Sequence, residues 1–234
     1  MTLYPLRDDT CQFCLPMHEG SGNKFYDHSC YERDATGAWD WITDDFFGQY
    51  VPEFTGTSGS YAWFDGESLM KTINKAREMT FTVWFKTSYT DDVQYIFSSA
   101  KVKSGEEGVA AKVFTDGTIG FLCPLRFDVR CEEETNDGEW HFLAVTADYN
   151  YARIYVDGEL DGESTVWSNW SLRTDRDFLI ATHEHSASSQ FFKGYQSEFR
   201  CYNRILSLEE IRALELYYRN FEVRPAILCP RPTL

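Results

Sequence analysis

The feature that most constrains the fold of this chain is the alternation of apolar and polar residues, interrupted by turn dipeptides. In segment 80–86, Phe81, Val83 and Phe85 share one face of an extended strand. Segment 139–147 carries apolar residues on both faces, as expected for a strand inside a sheet that is covered on both sides. Asp-Gly, which accepts the positive φ angles of tight turns, occurs at 65–66, 116–117, 137–138, 157–158 and 161–162. The pattern predicts several antiparallel hairpins.

Extended patterns of this kind recur along most of the chain, and one helical pattern follows them. Ser207 and Glu210 have the spacing of a helix capping box, and Ile211, Leu214 and Tyr217 then share one helix face. The sequence therefore predicts an all-β sandwich of two antiparallel sheets with one short C-terminal helix. The predicted strands lie near residues 11–15, 24–27, 61–64, 79–87, 92–98, 109–115, 118–123, 126–130, 139–147, 150–157, 159–166, 177–182 and 191–202.

No internal repeat, linker or low-complexity tract divides the chain. We predict one domain at 1–218 and an extended, proline-containing arm at 219–234. Extended arms gain order by lying on a neighbouring molecule, so we expect this one to dock on a partner. The residues assigned to docking are Arg224, Pro225, Ile227 and Leu228.

Charge and hydropathy limit the partners. The formal net charge of -15 argues against nucleic acid, because phosphate backbones are bound by clustered Lys and Arg. No run of 18 apolar residues is present, so no membrane insertion is expected. The first residues lack the basic and apolar regions of a secretion signal, which predicts a protein made in the cytoplasm. Seven scattered cysteines do not imply a disulfide framework.

Four segments resemble one known family. They are Leu15 to Gly22 with Phe25 to Ser29, Ala62 to Gly66 with Met79 to Thr87, Asn136 to Thr146 with Ala152 to Gly158, and Phe192 to Ser207. In this order they are similar to the laminin G-like, concanavalin A-like lectin-glucanase superfamily, over roughly residues 11–217. The resemblance implies a jelly-roll sandwich whose loops and concave face bind glycans or proteins, although fold alone does not grant a function.

The resemblance also implies a calcium site. Many family members read G-x-I-D-E-x-R in the last strand, where this chain has Gln196, Ser197 and Glu198. Replacing a carboxylate by the hydroxyl of Ser197 weakens such a site, and the remaining candidate ligands are Asp27, Asp34 and Glu198.

A ligand surface is predicted where aromatic residues lie in or near turns. Such rings stack on sugars or anchor protein partners. The candidates are Tyr149, Tyr151, Trp167 and Trp170.

The catalytic alternative is a glycosidase. Related sandwich hydrolases carry paired glutamates on one strand, and period two would aim Glu159, Asp161 and Glu163 to the same side. Gly162 is a poor strand residue, which favours a solvated hairpin instead. We expect no enzymatic activity.

The functional prediction is a recognition and structural module of a larger assembly. We expect a virion surface, decoration, fibre or tail protein that binds a protein scaffold or self-assembles, and that also binds glycans. The alternative is a free, lectin-like carbohydrate-binding adhesion module, and the second alternative is a glycoside hydrolase of the same fold.

Overall fold

The computed structural model describes residues 8–99, 107–184 and 189–219. These contain sixteen strands and two helices. The predicted docking residues Arg224, Pro225, Ile227 and Leu228 lie outside the described residues. In chain order the elements are β1 (Cys11–Leu15), β2 (Lys24–Phe25), β3 (Ala35–Gly37), β4 (Asp40–Asp44), β5 (Gln49–Thr55), β6 (Ala62–Asp65), α1 (Glu67–Ala76), β7 (Met79–Lys86), β8 (Gln94–Ser98), β9 (Ala110–Val113), β10 (Ile119–Cys123), β11 (Phe127–Arg130), β12 (Trp140–Ala147), β13 (Tyr151–Val156), β14 (Glu159–Thr165), β15 (Asp177–Ile180), β16 (Lys193–Tyr202) and α2 (Leu208–Arg219).

The strands form two antiparallel sheets. Sheet A has the order β14-β13-β12-β7-β16-β5-β4, and β1 also pairs with β16. Sheet B has the order β11-β10-β9-β8-β15-β6-β3-β2. The two-sheet sandwich that the sequence predicts is therefore confirmed.

The core lies between the two sheets and is built by alternate residues. Phe81, Val83 and Phe85 of β7 are all buried there, as the alternation predicts. The ring centroids of Phe81 and Phe97 lie 4.7 Å apart, which brings sheet A into contact with sheet B. Rings at such spacing contribute pairwise attraction beyond the apolar area that they bury. Neither helix in the described ranges has the length and apolarity of a membrane-spanning segment.

A second apolar layer covers the outer face of sheet A. Helix α2 and the β4–β5 hairpin pack over this face, which explains why β7 and β12 carry apolar residues on both sides. The cluster includes Phe47, Trp84, Trp140, Phe142, Ile211 and Leu214.

Thirteen strands agree with the predicted set, but the sequence analysis missed α1 and strands β3 to β5. Helix α1 buries Leu69, Met70 and Ile73, yet its N-cap is Gly66, which makes no side-chain cap bond, so the usual start signal is absent. Strand β5 contains Pro52, and proline argues against a strand. The structure accommodates it because β5 pairs with β16 only over residues 53–55.

The Asp-Gly dipeptides have different roles. Those at 116–117 and 157–158 form hairpin turns with positive φ at Gly117 and Gly158. The pair at 65–66 instead precedes α1, and the pair at 161–162 lies inside β14.

The capping box of α2 is formed as predicted. The Ser207 N–H donates to Glu210 Oε2 at 2.8 Å, and the Glu210 N–H donates to Ser207 Oγ at 3.2 Å. We expect Ser207→Ala to lower the free energy of unfolding by about 1 kcal/mol in urea titrations. An unchanged midpoint would show that the cap is dispensable.

Glu210 should also make stability depend on pH. Hydrogen bonds from Arg204 are the main cause that lowers the pKa of Glu210. Because the folded pKa lies below the unfolded one, this stabilisation is complete above the unfolded pKa and is lost as the pH falls through the folded pKa. The wild type should therefore exceed Glu210→Gln in stability at neutral pH, and the two should converge in acid.

Candidate functional site

Two adjoining depressions lie on the outer face of sheet A, near the ends of β7, β12 and β16. They share Lys86, and we call them together the trough. The tyrosine depression, of about 470 Å³, includes Glu53, Lys86, Tyr89, Asp91, Lys193 and Tyr195. The tryptophan depression, of about 530 Å³, includes Asp44, Asp45, Phe46, Glu139, Trp140, His141, Asp157 and Arg219.

A close approach between β16 and β7 shapes the tyrosine depression. Gly194 has a φ of 141°, and a Cβ at this position would lie 2.1 Å from the carbonyl oxygen of Lys86. Only glycine fits, because any side chain would collide with backbone. This glycine therefore lets the backbones of β16 and β7 meet where Tyr195 lies opposite Lys86.

The tyrosine depression holds two rings with polar partners. The Tyr195 hydroxyl donates to Glu53 Oε1 at 3.0 Å. Burial, followed by this hydrogen bond, raises the pKa of Tyr195, so the phenol stays protonated at neutral pH. The Lys193 Nζ lies 5.2 Å from the ring centroid of Tyr89. The site thus combines aromatic faces with a carboxylate and an ammonium group.

The tryptophan depression is built by the β4–β5 hairpin folding back over β12. Asp44 Oδ1 accepts the N–H groups of Phe46 and Phe47 at 2.9 and 3.1 Å, which fixes the turn. The other oxygen, Oδ2, accepts the indole N–H of Trp140 at 3.1 Å. Phe46 stacks on Trp140 with ring centroids 6.1 Å apart. The hairpin is therefore tied to the sheet by one carboxylate and two rings.

The trough carries more acidic than basic groups. Carboxylates line both depressions, whereas the lysine and arginine side chains are Lys86, Lys193 and Arg219. Arg219 is already paired with Asp157 at 2.7 Å. Ionised carboxylates accept hydrogen bonds from hydroxyl groups and repel anions. The chemistry of the trough therefore fits a neutral, hydroxyl-rich ligand.

The structure divides the four aromatic residues predicted to bind ligand. Trp167 and Tyr151 are exposed by 62% and 40%, near β14 at the end of sheet A. Tyr149 is half-buried against the core. Trp170 is only 3% exposed, and its ring contacts that of Tyr149 edge-on at 4.8 Å. The structure therefore differs from the prediction for Trp170, because its indole packs in the core and is not on a ligand surface.

The three predicted calcium ligands do not converge. Asp27 Oδ1 accepts the N–H groups of Cys14 and Ser29, both at 2.8 Å, so its carboxylate braces the backbone. Asp34 Oδ2 pairs with Lys24 at 2.8 Å. Glu198 is engaged elsewhere, by a histidine and an arginine. Within the described ranges these residues do not form a group of potential metal ligands, whereas Glu133, His141 and Asp157 do.

The carboxylates considered for glycoside hydrolysis point to separate partners. Glu159 pairs with Arg212 at 2.7 Å, and Glu163 pairs with Arg153 at 2.6 Å. Asp161 accepts the backbone N–H groups of residues 132 and 133. A bulge in β14 breaks the alternation that would have aligned the three. None of the three lines either depression of the trough.

Gly162 is required by packing. A Cβ at Gly162 would lie 2.8 Å from the carbonyl oxygen of Arg130. The glycine thus permits β14 to approach β11. Glu159 and Glu163 are nevertheless exposed in the β13–β14 hairpin, as the sequence predicts.

The sequence analysis missed the trough. Its walls come from segments near residues 44, 53, 86–91, 140 and 193–195, which are distant along the chain. The sequence signal that could have indicated the trough is Lys193-Gly194-Tyr195, which lies in the family-like segment from Phe192 to Ser207.

Comparisons with known proteins agree with this fold. Residues 55–212 match the family model described as the concanavalin A-like lectin/glucanases superfamily. A search of curated protein sequences finds no match.

Solved structures of botulinum neurotoxin binding regions are similar in fold. A structure of botulinum neurotoxin type C, whose cell entry depends on two ganglioside molecules, has 13% identity and a TM-score of 0.69, covering 90% of this chain and 52% of that one. The type DC binding domain in complex with rat synaptotagmin II has 12% identity and a TM-score of 0.70, covering 91% and 52%. The type DC domain in complex with SialylT has 13% identity and a TM-score of 0.67, with the same coverage.

The chain thus spans about half the length of these neurotoxin structures. At such identities the similarity establishes the fold alone. The family match covers more than half of the chain and includes β6 to β16 of the two sheets described above. The chain therefore belongs to the concanavalin A-like lectin/glucanases superfamily.

Proposed function

We propose that this chain is a non-catalytic recognition module that binds neutral saccharides in the trough. The observation that carries the proposal is the combination of aromatic faces and carboxylates in two adjoining depressions. Rings stack on the apolar faces of sugars, and carboxylates accept hydrogen bonds from their hydroxyl groups. Tyr195 with Glu53, and Trp140 with Asp44, are each held together by a hydrogen bond, so the site is preorganised.

The neurotoxin structures of similar fold support a binding role for this chain. Their ligands or partners are gangliosides, SialylT and synaptotagmin II. An anionic ligand requires positively charged groups, but acidic groups outnumber basic ones along the walls of the trough. We therefore assign it to uncharged sugars.

A glycan array tests this assignment with the whole chain. We expect binding to neutral oligosaccharides, and weaker binding to sialylated versions of the same structures because of charge repulsion. Preference for the sialylated set would reject the assignment to neutral sugars. Silence across the array would reject saccharide binding.

Absence of catalysis is part of the proposal. It is supported by the separate partners of Glu159, Asp161 and Glu163, because glycoside hydrolysis needs two carboxylates on either side of one bond. Incubation with β-glucans and with any sugar found on the array should release no product. Turnover that disappears in Glu159→Gln or Glu163→Gln would contradict this part.

The biological setting that we propose is a larger assembly, such as the surface of a virus-like particle, where the module docks on a protein scaffold or on other copies. The support is the sequence of the arm at 219–234, which combines three prolines with Ile227 and Leu228. Deleting residues 221–234 should prevent incorporation into the oligomer or particle. Unchanged sedimentation of the truncated chain would reject docking by the arm.

A further inference from the structure

A histidine and several carboxylates converge at the end of sheet A, where His141 and Asp157 line the tryptophan depression. His141 is the second residue of β12 and is 7% exposed. Asp157 lies in the β13–β14 turn, and Glu133 follows β11. One potential ligand atom from each of the three lies within 4.8 Å of the other two. Three separate segments therefore deliver nitrogen and oxygen donors to one place.

The imidazole of His141 is oriented by two carboxylates. Its Nδ1 lies 3.0 Å from Asp157 Oδ2, and its Nε2 lies 3.2 Å from Asp137 Oδ1. A histidine that binds a metal through one nitrogen usually donates its other N–H to a carboxylate, which fixes the tautomer. Without a metal, the Nδ1–H donates to Asp157 and the Nε2–H donates to Asp137, because carboxylates only accept. A cation that displaces the Nδ1 proton would leave the Nε2–H on Asp137.

Negative charge is in excess around this histidine. The Glu133 side chain makes no hydrogen bond or ion pair with a described residue, although Asp161 accepts its backbone N–H at 2.9 Å. The carboxylates of Glu133 and Asp157 each place an oxygen within 4.8 Å of the other, so their negative charges repel. Arg219 neutralises Asp157 from the opposite side, through Oδ1 at 2.7 Å. A cation between Glu133 and Asp157 would relieve the remaining repulsion.

We propose that His141 Nδ1, Asp157 Oδ2 and the Glu133 carboxylate form a binding site for a zinc-class divalent cation. Imidazole together with carboxylates suits zinc, whereas calcium prefers six or more oxygens. Tetrahedral zinc with bonds of about 2.1 Å separates its ligand atoms by about 3.4 Å. The observed 3.0 Å between His141 and Asp157 needs to open only slightly. Asp137 is the positioning residue.

The test is calorimetric titration of the full chain with zinc chloride alone, at neutral pH. Cysteine thiols also bind zinc, so the parent protein carries Cys30→Ser and Cys229→Ser, which remove the exposed cysteine of the described residues and the one in the arm. We expect one saturable zinc site. Glu133→Gln should weaken it at least about tenfold, and Asp137→Asn should weaken it about 10- to 100-fold.

The matched control is Glu132→Gln, because Glu132 is an exposed neighbour of the same charge. It should leave zinc affinity unchanged. Zinc should also hold the His141 ring as the Nε2-protonated tautomer in ¹⁵N spectra, which a purely structural change would not produce. Equal zinc affinities of Glu133→Gln and Glu132→Gln, or no saturable binding by the parent, would overturn the proposal. Because zinc is added without any sugar, the outcome is independent of saccharide binding.

Discussion

Replacing Glu198 with alanine is expected to lower the free energy of unfolding by about 3–5 kcal/mol, because it leaves a buried arginine without its counter-charge. Arg200 has no exposed surface, and its Nη2 lies 3.1 Å from Glu198 Oε2. Glu198 Oε1 lies 3.0 Å from His18 Nε2, so the same substitution removes a second interaction. Urea or thermal unfolding followed by circular dichroism measures the loss.

The double variant Glu198→Ala with Arg200→Met is the matched control. Removing both charges avoids a buried, unpaired ion, and such replacements are often close to neutral. The double variant should therefore be more stable than Glu198→Ala alone. If the single variant loses less than about 1 kcal/mol, the pair contributes no more than a surface ion pair.

Replacing Tyr89 with alanine is expected to weaken saccharide binding about tenfold or more, equivalent to about 1.4 kcal/mol. The substitution removes a ring face from the tyrosine depression, where Lys193 lies over the ring. Binding energy in such sites is concentrated in a few aromatic residues. Calorimetry with the best ligand from the glycan array measures the change. Tyr195→Phe should weaken binding less, because it keeps the ring and removes only the hydroxyl that donates to Glu53.

Tyr151→Ala is the control for a ring outside the trough. Tyr151 is 40% exposed and was predicted from the sequence to bind ligand, but it lies at the β14 edge of sheet A. Its loss should leave affinity unchanged. A large loss with Tyr151→Ala, and none with Tyr89→Ala, would move the binding surface from the trough to that edge.

The fold could be predicted because the alternation of residues along a strand shows which side chains face the opposite sheet. Phe81, Val83 and Phe85 face the other sheet, and this periodicity is local. Strand β5 could not be recognised because Pro52 argues against a strand. Its acceptance depends on where the pairing with β16 ends, which the sequence does not show. Helix α1 could not be recognised because its glycine start carries no capping side chain.

The candidate site was less predictable because it depends on breaks in the regular pattern. A bulge between Ser197 and Arg200 shifts the register of β16, and Glu198 there has a φ of 54°. Period two therefore misplaces Glu198, which the structure uses for a buried ion pair. The trough likewise requires a hairpin over β12 and the approach at Gly194, neither of which a single segment reveals.

The position of a bound saccharide decides between the trough and the rest of the surface. A crystal of the whole chain soaked with the best ligand from the array should show sugar density in the trough, between Tyr89 and Phe46. The account predicts a ring stacked on an aromatic side chain and hydroxyl groups within hydrogen-bond distance of the carboxylates that line the depressions. Sugar bound beside Trp167, or on the face of sheet B, with an empty trough would contradict it.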